Sequence, residues 1–351
     1  MVQVHSDVIQ FRGPHYEFGY AQGKRLLRSP VVTNRIRQWN PENNLRFFVD
    51  EEDFLTAIFR WAPQIWQEIR GLRDALSMDT PTAIRLFGGF YDGNRNSGCS
   101  IFAIKNFLAR NYDNDPLSYE GRYVFYQPDD SGYATPGPTM QITGRTDGMN
   151  EKGRAMGYNF TNRKNSGTGF VCNMIGRIIL ETCASVPEAV RLLKQIPHRH
   201  SFSYVLLDSH HSPVIVEASP QNVAVRPGNV CTNHFERLTE ENRYRTEDSE
   251  RRIGIMKKYE DRVTSSYEAY QLLNDPAYGV FSENYGAWAG TIHTVMYVPQ
   301  TLKAWFAHGS KQKPVIFDFR RWLEGNDTPV TRIKGKLNAK HGFVNLKEYR
   351  F

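Results

Sequence analysis

The chain changes texture at Gly98–Cys99, and this boundary constrains the fold more than any other feature of the 351 residues. Upstream, apolar residues recur at helical spacing. An opening strand is broken by Gly13-Pro14, and a helix is expected over 16–27. Leu55, Ile58, Phe59, Ala62, Ile65, Trp66, Ile69 and Leu72 form an apolar stripe behind an expected N-cap at Asp53, with a kink at Pro63. Thr80-Pro81 reads as the cap and first-turn proline of another helix. Residues 92–98 read as a polar, glycine-bearing loop. Downstream, a buried strand pair is expected over 99–109, with strands over 122–127, 139–143 and 153–160. Helical periodicity returns over 171–183, and Ser185-Val-Pro-Glu188 is a capping-box pattern opening a second helix. Short strands follow at 204–207, 214–217 and 223–225, then helices near 239–259 and 265–273. A hairpin over 291–298 and 302–307 closes the pattern. Segregated runs of helices and strands imply a layered α+β fold with antiparallel sheets, not a doubly wound parallel sheet.

Composition narrows the function. Hydrophobic residues at 40% and aromatics at 13% supply a packed core and exclude disorder. No long uncharged apolar run is present, so no membrane span is expected. The opening Met-Val-Gln-Val-His lacks the apolar stretch of a secretory signal, so a cytoplasmic location is expected. The net charge of +7 is spread along the chain. Its densest stretch, 236–258, interleaves acids and bases and reads as a solvated mixed-charge helix. The basic tail over 332–350 also carries Leu337, Phe343, Val344 and Leu346. Neither a nucleic acid nor a membrane is therefore an expected partner.

The motif search removes further classes. Four cysteines are too few for a disulfide framework, and none has CxxC spacing. His198, His200, His210 and His211 read as exposed turn histidines, so neither a metal nor a cofactor is expected. Gly19, Gly23 and Lys24 approach a phosphate-loop spacing. That loop is one residue short, and Arg25 stands where a hydroxyl is needed. These glycines read instead as sites of close helix packing.

The cysteines are not equivalent. Cys172 and Cys183 fall on the apolar face of a helix and read as inert core residues. Cys231 lies in a strand-like context. Cys99 opens a strand directly after a glycine, and Arg110 and Asp113 fall on the neighbouring strand. A guanidinium lowers the pKa of a nearby thiol, which makes Cys99 a candidate thiolate. The alternative is a buried cysteine beside an Arg110–Asp113 pair.

Gly98-Cys99-Ser100, Arg110-Asn-Tyr-Asp113, Asp147-Gly-Met-Asn-Glu-Lys-Gly153, Gly157-Tyr-Asn159-Phe160, Val216-Glu-Ala-Ser219-Pro220 and Cys231-Thr-Asn233-His234-Phe235 follow in order. Together they closely resemble the N-terminal-nucleophile (Ntn) hydrolases related to isopenicillin N acyltransferase, a group akin to choloylglycine hydrolases and penicillin V acylases. Gly13-Pro-His-Tyr-Glu-Phe-Gly19 resembles the acyltransferase-like branch. The resemblance spans about residues 10 to 310. It implies a four-layer αββα sandwich made as a precursor. Residues 1–98 would be a mainly helical pro-segment or small subunit, and 99–351 the catalytic subunit, with self-cleavage between Gly98 and Cys99. Glycine tolerates the strained backbone that an N-to-S acyl shift needs. The freed Cys99 would own a thiol of pKa near 8.5 and an α-amine near 8, so no histidine base is required.

By position, the resemblance makes Cys99 the nucleophile and Asp113 the carboxylate that orients its amine. Arg110 supports the thiolate, and Asn159 and Asn233 surround the oxyanion site, with Asn233 the closer match to an amide donor. Ser219 matches a serine that contacts substrate. Ser100 and Tyr112 depart from the commoner threonine and tryptophan. No second catalytic arginine is identified near the C-terminal strands, and 282–286 and 291–294 match loosely. Phe281, Tyr285 and Trp288 suggest a partly apolar acyl pocket. The implied function is a self-processing amidohydrolase or acyltransferase. It would act on linear, non-peptide amide C–N bonds of a small-molecule amide or acyl-thioester, through an acyl-thioester on Cys99. The alternative from another class is an unprocessed binding or scaffold protein in which Cys99 stays blocked as a peptide amide. Monomer and homo-oligomer are both open.

Overall fold

The computed structural model describes residues 1–39, 49–90, 98–162, 166–286 and 289–350. Of the loop expected over 92–98, residues 92–97 lie outside these described residues, as does Trp288, and Gly98 belongs to a strand.

Strand β1 (Val2–Arg12) ends at Gly13, whose φ of 143° turns the chain into helix α1 (His15–Leu26). Ser29 caps α2 (Pro30–Gln38). Asp50, not Asp53, caps α3 (Glu51–Trp61), because its carboxylate accepts the Asp53 N–H at 3.0 Å. Pro63 separates two helices and does not kink one. A residue before proline is pushed out of helical geometry, so Ala62 sits at φ −160°, ψ 63° and α4 (Pro63–Leu76) starts afresh. Asp79 likewise displaces Thr80 as the cap of α5 (Thr80–Phe87) by accepting the Thr82 N–H at 2.7 Å.

The strand-rich part opens with the expected hairpin, β2 (Gly98–Ile104) and β3 (Phe107–Asn114). Then come β4 (Arg122–Gln127), β5 (Thr135–Met140), β6 (Gly144–Arg145), β7 (Asp147–Met149) and β8 (Ala155–Phe160). The strand expected over 139–143 stops at Met140, because Gln141 and Ile142 take positive φ in a turn held by Glu120, which accepts the Ile142 N–H. Helices α6 (Cys172–Thr182) and α7 (Val186–Leu193) lead to β9 (Phe202–Leu207), β10 (Val214–Ala218), β11 (Val223–Pro227) and β12 (Val230–Cys231). Then follow α8 (Glu247–Tyr259), α9 (Ser266–Asn274), β13 (Gly290–Val298), β14 (Lys303–His308), β15 (Val315–Asp318), α10 (Phe319–Leu323) and β16 (Arg332–Leu337).

The fold is mixed α+β. The described strands form three sheets, ordered β16-β1-β4-β5-β6, β11-β10-β9-β8-β7 and β12-β2-β3-β13-β14-β15. Among their ladders only β1–β4 is parallel. Strands β2 and β3 pack across β8, so the second and third sheets meet face to face. Ile101, Leu108, Val205, Leu207, Val295 and Phe306 fill a core between them. Helices α6 and α7 cover the second sheet, and α8 and α9 the third.

Residues before Gly98 are built into this frame. Strand β1 lies between β16 and β4, hydrogen-bonded on both sides. Helices α1 and α4 touch backbone to backbone: a methyl on Gly19 would stand 1.9 Å from Glu68 O, and one on Gly71 2.1 Å from Tyr16 O. The glycines therefore serve close packing, as expected. Buried ion pairs tie the two parts together, Arg35–Glu120 at 2.5 Å and Glu68–Arg177 at 2.7 Å, and buried His15 reaches the exposed Asp130 at 2.7 Å.

Three sequence expectations are corrected here. The stretch 236–258 is not wholly solvated: Ser249, Arg252, Ile253 and Met256 lie on the buried face of α8. His198 and His200 are buried, not exposed, and His198 Nε2 pairs with Leu193 O at 2.8 Å. Cys172 packs against the core as expected but is only half-buried, because it opens α6.

Candidate active site

Strand periodicity sorts the residues around Cys99. In the β2–β3 hairpin Cys99 lies opposite Tyr112, and Gly98 opposite Asp113. Paired residues share a face and successive residues alternate. Cys99, Tyr112 and Arg110 therefore face the second sheet, while Gly98 and Asp113 face α8. An Arg110–Asp113 pair is excluded by this alternation. Arg110 instead donates to Cys99 Sγ at 3.3 Å, to Asp147 Oδ2 at 2.7 Å and to Tyr158 O. The rings of Tyr112 and Tyr158 flank its guanidinium at 4.8 and 4.9 Å.

Behind Arg110 lies a buried relay. Asp147 Oδ2 also meets His293 Nε2 at 3.1 Å, and its Oδ1 accepts the Tyr297 hydroxyl at 2.7 Å. A carboxylate only accepts, so Nε2 carries the hydrogen and His293 Nδ1 accepts from Tyr119, 3.0 Å away. Burial lowers the His293 pKa and keeps the ring neutral. Burial alone would raise Asp147, but His293 and Arg110 outweigh it and hold the carboxyl at about 2. Asp147→Asn leaves the Arg110 charge uncompensated and is expected to cost about 3–5 kcal/mol of stability. Urea unfolding measures it, and a loss below ~1 kcal/mol would show that Arg110 does not depend on this carboxylate.

On the other face, a second arginine closes the site. Arg252 of α8 donates to Cys99 O and Ser100 Oγ, both at 2.7 Å, and to Asn233 Oδ1 at 2.8 Å. Asp248 anchors it at 2.6 Å. The sequence reading gave no role to Arg252, His293 or Asp147, although Asp147 opens one of the quoted motifs. Arg252 shares helical spacing with Ser249, Ile253 and Met256, which was the available signal. Thr291 and His293 come from the loosely matching stretch.

Asn233 meets Cys99 through its oxygen: the Cys99 N–H donates to Asn233 Oδ1 at 2.9 Å. Its amide nitrogen donates to Phe160 O at 2.8 Å and keeps one further hydrogen. Asn159 Nδ2 donates to Cys231 O at 2.9 Å, and its Oδ1 is buried without a partner among the described residues. Asp113 Oδ1 accepts the Thr291 hydroxyl at 2.7 Å. Ser219 is set apart from these groups. Its hydroxyl is engaged in a turn with Gln221 and Asn222.

Burial decides the electrostatics. Cys99 has no exposed surface, and burial raises its thiol to about 11 despite Arg110, whose charge Asp147 already balances. This reverses the lowering expected from the neighbouring guanidinium. Burial also raises Asp113 to about 6, against the pull of Arg252 and Thr291. A cavity of about 160 Å³ opens on the Gly98 side, and apart from Gly98 and Ala289 every described lining residue carries a polar group. The expected aromatic pocket is absent from that lining. Phe281 is buried, and the Tyr285 ring packs over Gly290 and donates its hydroxyl to Thr291 O at 2.7 Å. Among the described residues no group of three or more His, Cys, Asp or Glu is placed to hold a metal ion. Nor does any described helix have the length and apolarity to cross a membrane.

A search of curated protein sequences finds no match. Among solved structures, the chain is similar to penicillin V acylase from Agrobacterium tumefaciens, at 16% identity and TM-score 0.39, covering 63% of this chain and 84% of that one. It is similar to a variant of the conjugated bile acid hydrolase from Clostridium perfringens, at 14% identity and TM-score 0.43, covering 68% and 97%. It is also similar to the Caenorhabditis elegans ortholog of N-acylethanolamine-hydrolyzing acid amidase, at 13% identity and TM-score 0.39, covering 57% and 92%. The family model for acyl-coenzyme A:6-aminopenicillanic acid acyl-transferase matches residues 102–313, which is more than half of the chain and includes Arg110, Asp113, Asp147, Asn159, Ser219, Asn233, Arg252 and His293. The chain belongs to that acyl-transferase family of Ntn enzymes.

Proposed function

We propose that the protein is a self-processing cysteine-nucleophile amidohydrolase or acyltransferase acting on linear, non-peptide amides of small molecules. The supporting observation is the convergence of Arg110 on Cys99 Sγ, Asn233 on Cys99 N, and Arg252 on Cys99 O, with Asp113 beside Gly98. In maturation, Cys99 Sγ attacks the Gly98 carbonyl carbon. The Gly98–Cys99 C–N bond breaks, the nitrogen takes the thiol proton, and a thioester links Gly98 to Cys99. Water then releases the Gly98 carboxylate and regenerates the thiol. The free α-amine now stands between Asn233 Oδ1 and Asp113 and serves as the local base. In turnover the same sulfur attacks a substrate amide, the amine leaves, and water or an acceptor amine takes the acyl group. The remaining amide hydrogens of Asn159 and Asn233 are the candidate oxyanion donors. Residues 1–98 form the small subunit and stay in place through β1. A cytoplasmic location goes with this reading.

Ionised Asp113 is the form that holds the developing amine. Maturation is therefore expected to speed up about tenfold per pH unit below about 6 and to level off above it. Asp113→Asn should abolish this step, and gel-resolved cleavage at pH 4.5 to 8 measures both. A rate that is flat from pH 5 to 7 in wild type would remove Asp113 from the reaction. The stability sign runs the other way. The folded carboxyl holds its proton more tightly than the unfolded one, so stability is lost as pH rises from ~4 to about 6. Asp113→Asn should accordingly raise the melting temperature at pH 7 even as it abolishes maturation.

A further inference from the structure

Gly98 is the acyl half of the bond that Cys99 is proposed to cut, so its surroundings are those of an acyl group on the same sulfur. A substituent in the Cβ position of Gly98 would stand 3.2 Å from Asp113 Oδ2 and 3.8 Å from Arg252 Nη2. A methyl there would desolvate a carboxylate without compensation, whereas a hydroxyl or ammonium would donate to it. The adjoining cavity, about 160 Å³, has room for only a handful of non-hydrogen atoms. One of its walls is Asn162, more than nine-tenths buried, whose side-chain amide has no hydrogen-bond partner among the described residues. It follows Phe160, whose carbonyl is fixed by Asn233, so its position is set by the site itself. Three of the other polar walls are engaged. Thr246 Oγ1 accepts the Ser249 N–H, Asp248 holds Arg251 and Arg252, and Ser282 donates to Ala289 O. Asn162 can donate and accept, and is left to do both.

We propose that this cavity is a polar acyl subsite. It selects short acyl groups that carry a hydrogen-bond donor on the carbon next to the carbonyl and a second polar group one carbon further on, which Asn162 binds. Long unbranched fatty acyl groups are rejected. The inference rests on the amidohydrolase or acyltransferase reading. The chemical class is a 2-hydroxy- or 2-amino-acyl amide of a few carbons.

The test uses one leaving group throughout, 4-nitroaniline, on matured full-length protein. Isobutyryl and lactoyl 4-nitroanilides differ only by a methyl against a hydroxyl, and both lactoyl enantiomers are assayed. 2,3-Dihydroxypropanoyl 4-nitroanilide adds the second polar group, and the decanoyl compound supplies the fatty chain. One lactoyl enantiomer is expected to exceed isobutyryl in kcat/KM by about tenfold or more, and the dihydroxy compound to exceed lactoyl by about fivefold. Asn162→Ala should remove the second ratio and leave the first, a split that a general loss of folding cannot produce. Asn162→Gln should restore part of it. Preference for isobutyryl or decanoyl overturns the subsite, as does an equal loss on all substrates in Asn162→Ala. A chain that stays whole and turns over no 4-nitroanilide overturns the enzymatic reading and the subsite together. A matured chain with free Cys99 and reversed preference overturns the subsite alone.

Discussion

Purified wild-type protein is expected to resolve into two chains of about 11 and 29 kDa by residue share, the larger starting Cys-Ser-Ile-Phe. Cys99→Ala is expected to stay a single chain of 40.5 kDa with amide turnover reduced by roughly 10⁴-fold or more. The size of the effect follows from the site. No described histidine contacts the Cys99 sulfur, whose hydrogen-bond partner is Arg110. Arg110 and Arg252 can hold charge near the sulfur and the carbonyl, but neither can form the thioester. Losing the sulfur therefore removes both maturation and turnover. Cys99→Ser keeps an attacking atom but a far less acidic one, and should mature slowly if at all. Intact mass and N-terminal sequencing give the answer. A wild-type chain that stays at 40.5 kDa after long incubation would favour the unprocessed scaffold reading, with Cys99 blocked as an amide.

The second large effect concerns the small subunit. Residues 99–351 produced alone are expected not to reach the native fold, whereas co-expression with 1–98 restores soluble, matured-like protein. Strand β1 lies inside a sheet, so its removal leaves β4 and β16 with unpaired edges. It also removes Val4, Val8 and Ile9, all buried, at about 1.5–3 kcal/mol each. Glu68 is lost from Arg177, Glu120 is left without Arg35, and Asp130 is left without His15. Unpairing one buried charge costs about 3–5 kcal/mol, and a whole domain has only about 5–15 in hand. Near-ultraviolet circular dichroism and size-exclusion chromatography distinguish the outcomes. A monodisperse 99–351 with native-like aromatic signals would show that the N-terminal segment is an accessory. By the same argument, maturation should leave the two chains bound until a denaturant separates them.

Much of this protein was legible in the sequence because local physics wrote it there. The alternation around Cys99 marks a buried hairpin, the Ser185–Glu188 pattern marks a helix start, and the change from helical to strand spacing at Gly98 marks where β2 begins and where cleavage is proposed. The order of Cys99, Arg110, Asp113, Asn159 and Asn233 carried the family resemblance. Local errors had local causes. Asp50 and Asp79 took caps assigned to their neighbours, because a short carboxylate reaches the N3 amide better from that distance. Proline at 63 restarted a helix because Ala62 could not stay helical.

Partners distant in sequence depended on tertiary structure. Strand alternation could have separated Arg110 from Asp113, but only the pairing of β13 beside β3 and the stacking of the sheet that carries β7 supply His293 and Asp147 as partners. Arg252 looked like one charge among many, and becomes a site residue because the inner face of α8 packs on β2. The thiol of Cys99 is pushed up, not down, because burial and a counter-ion are properties of the assembled core. The sequence by itself determined the family the chain resembles and the candidate chemistry, since these depend on residue type and on spacing within single elements. Which groups meet, and in which protonation state, was decided by the packing of three sheets and the helices around them, since both depend on distances and solvent exclusion between elements far apart in the chain.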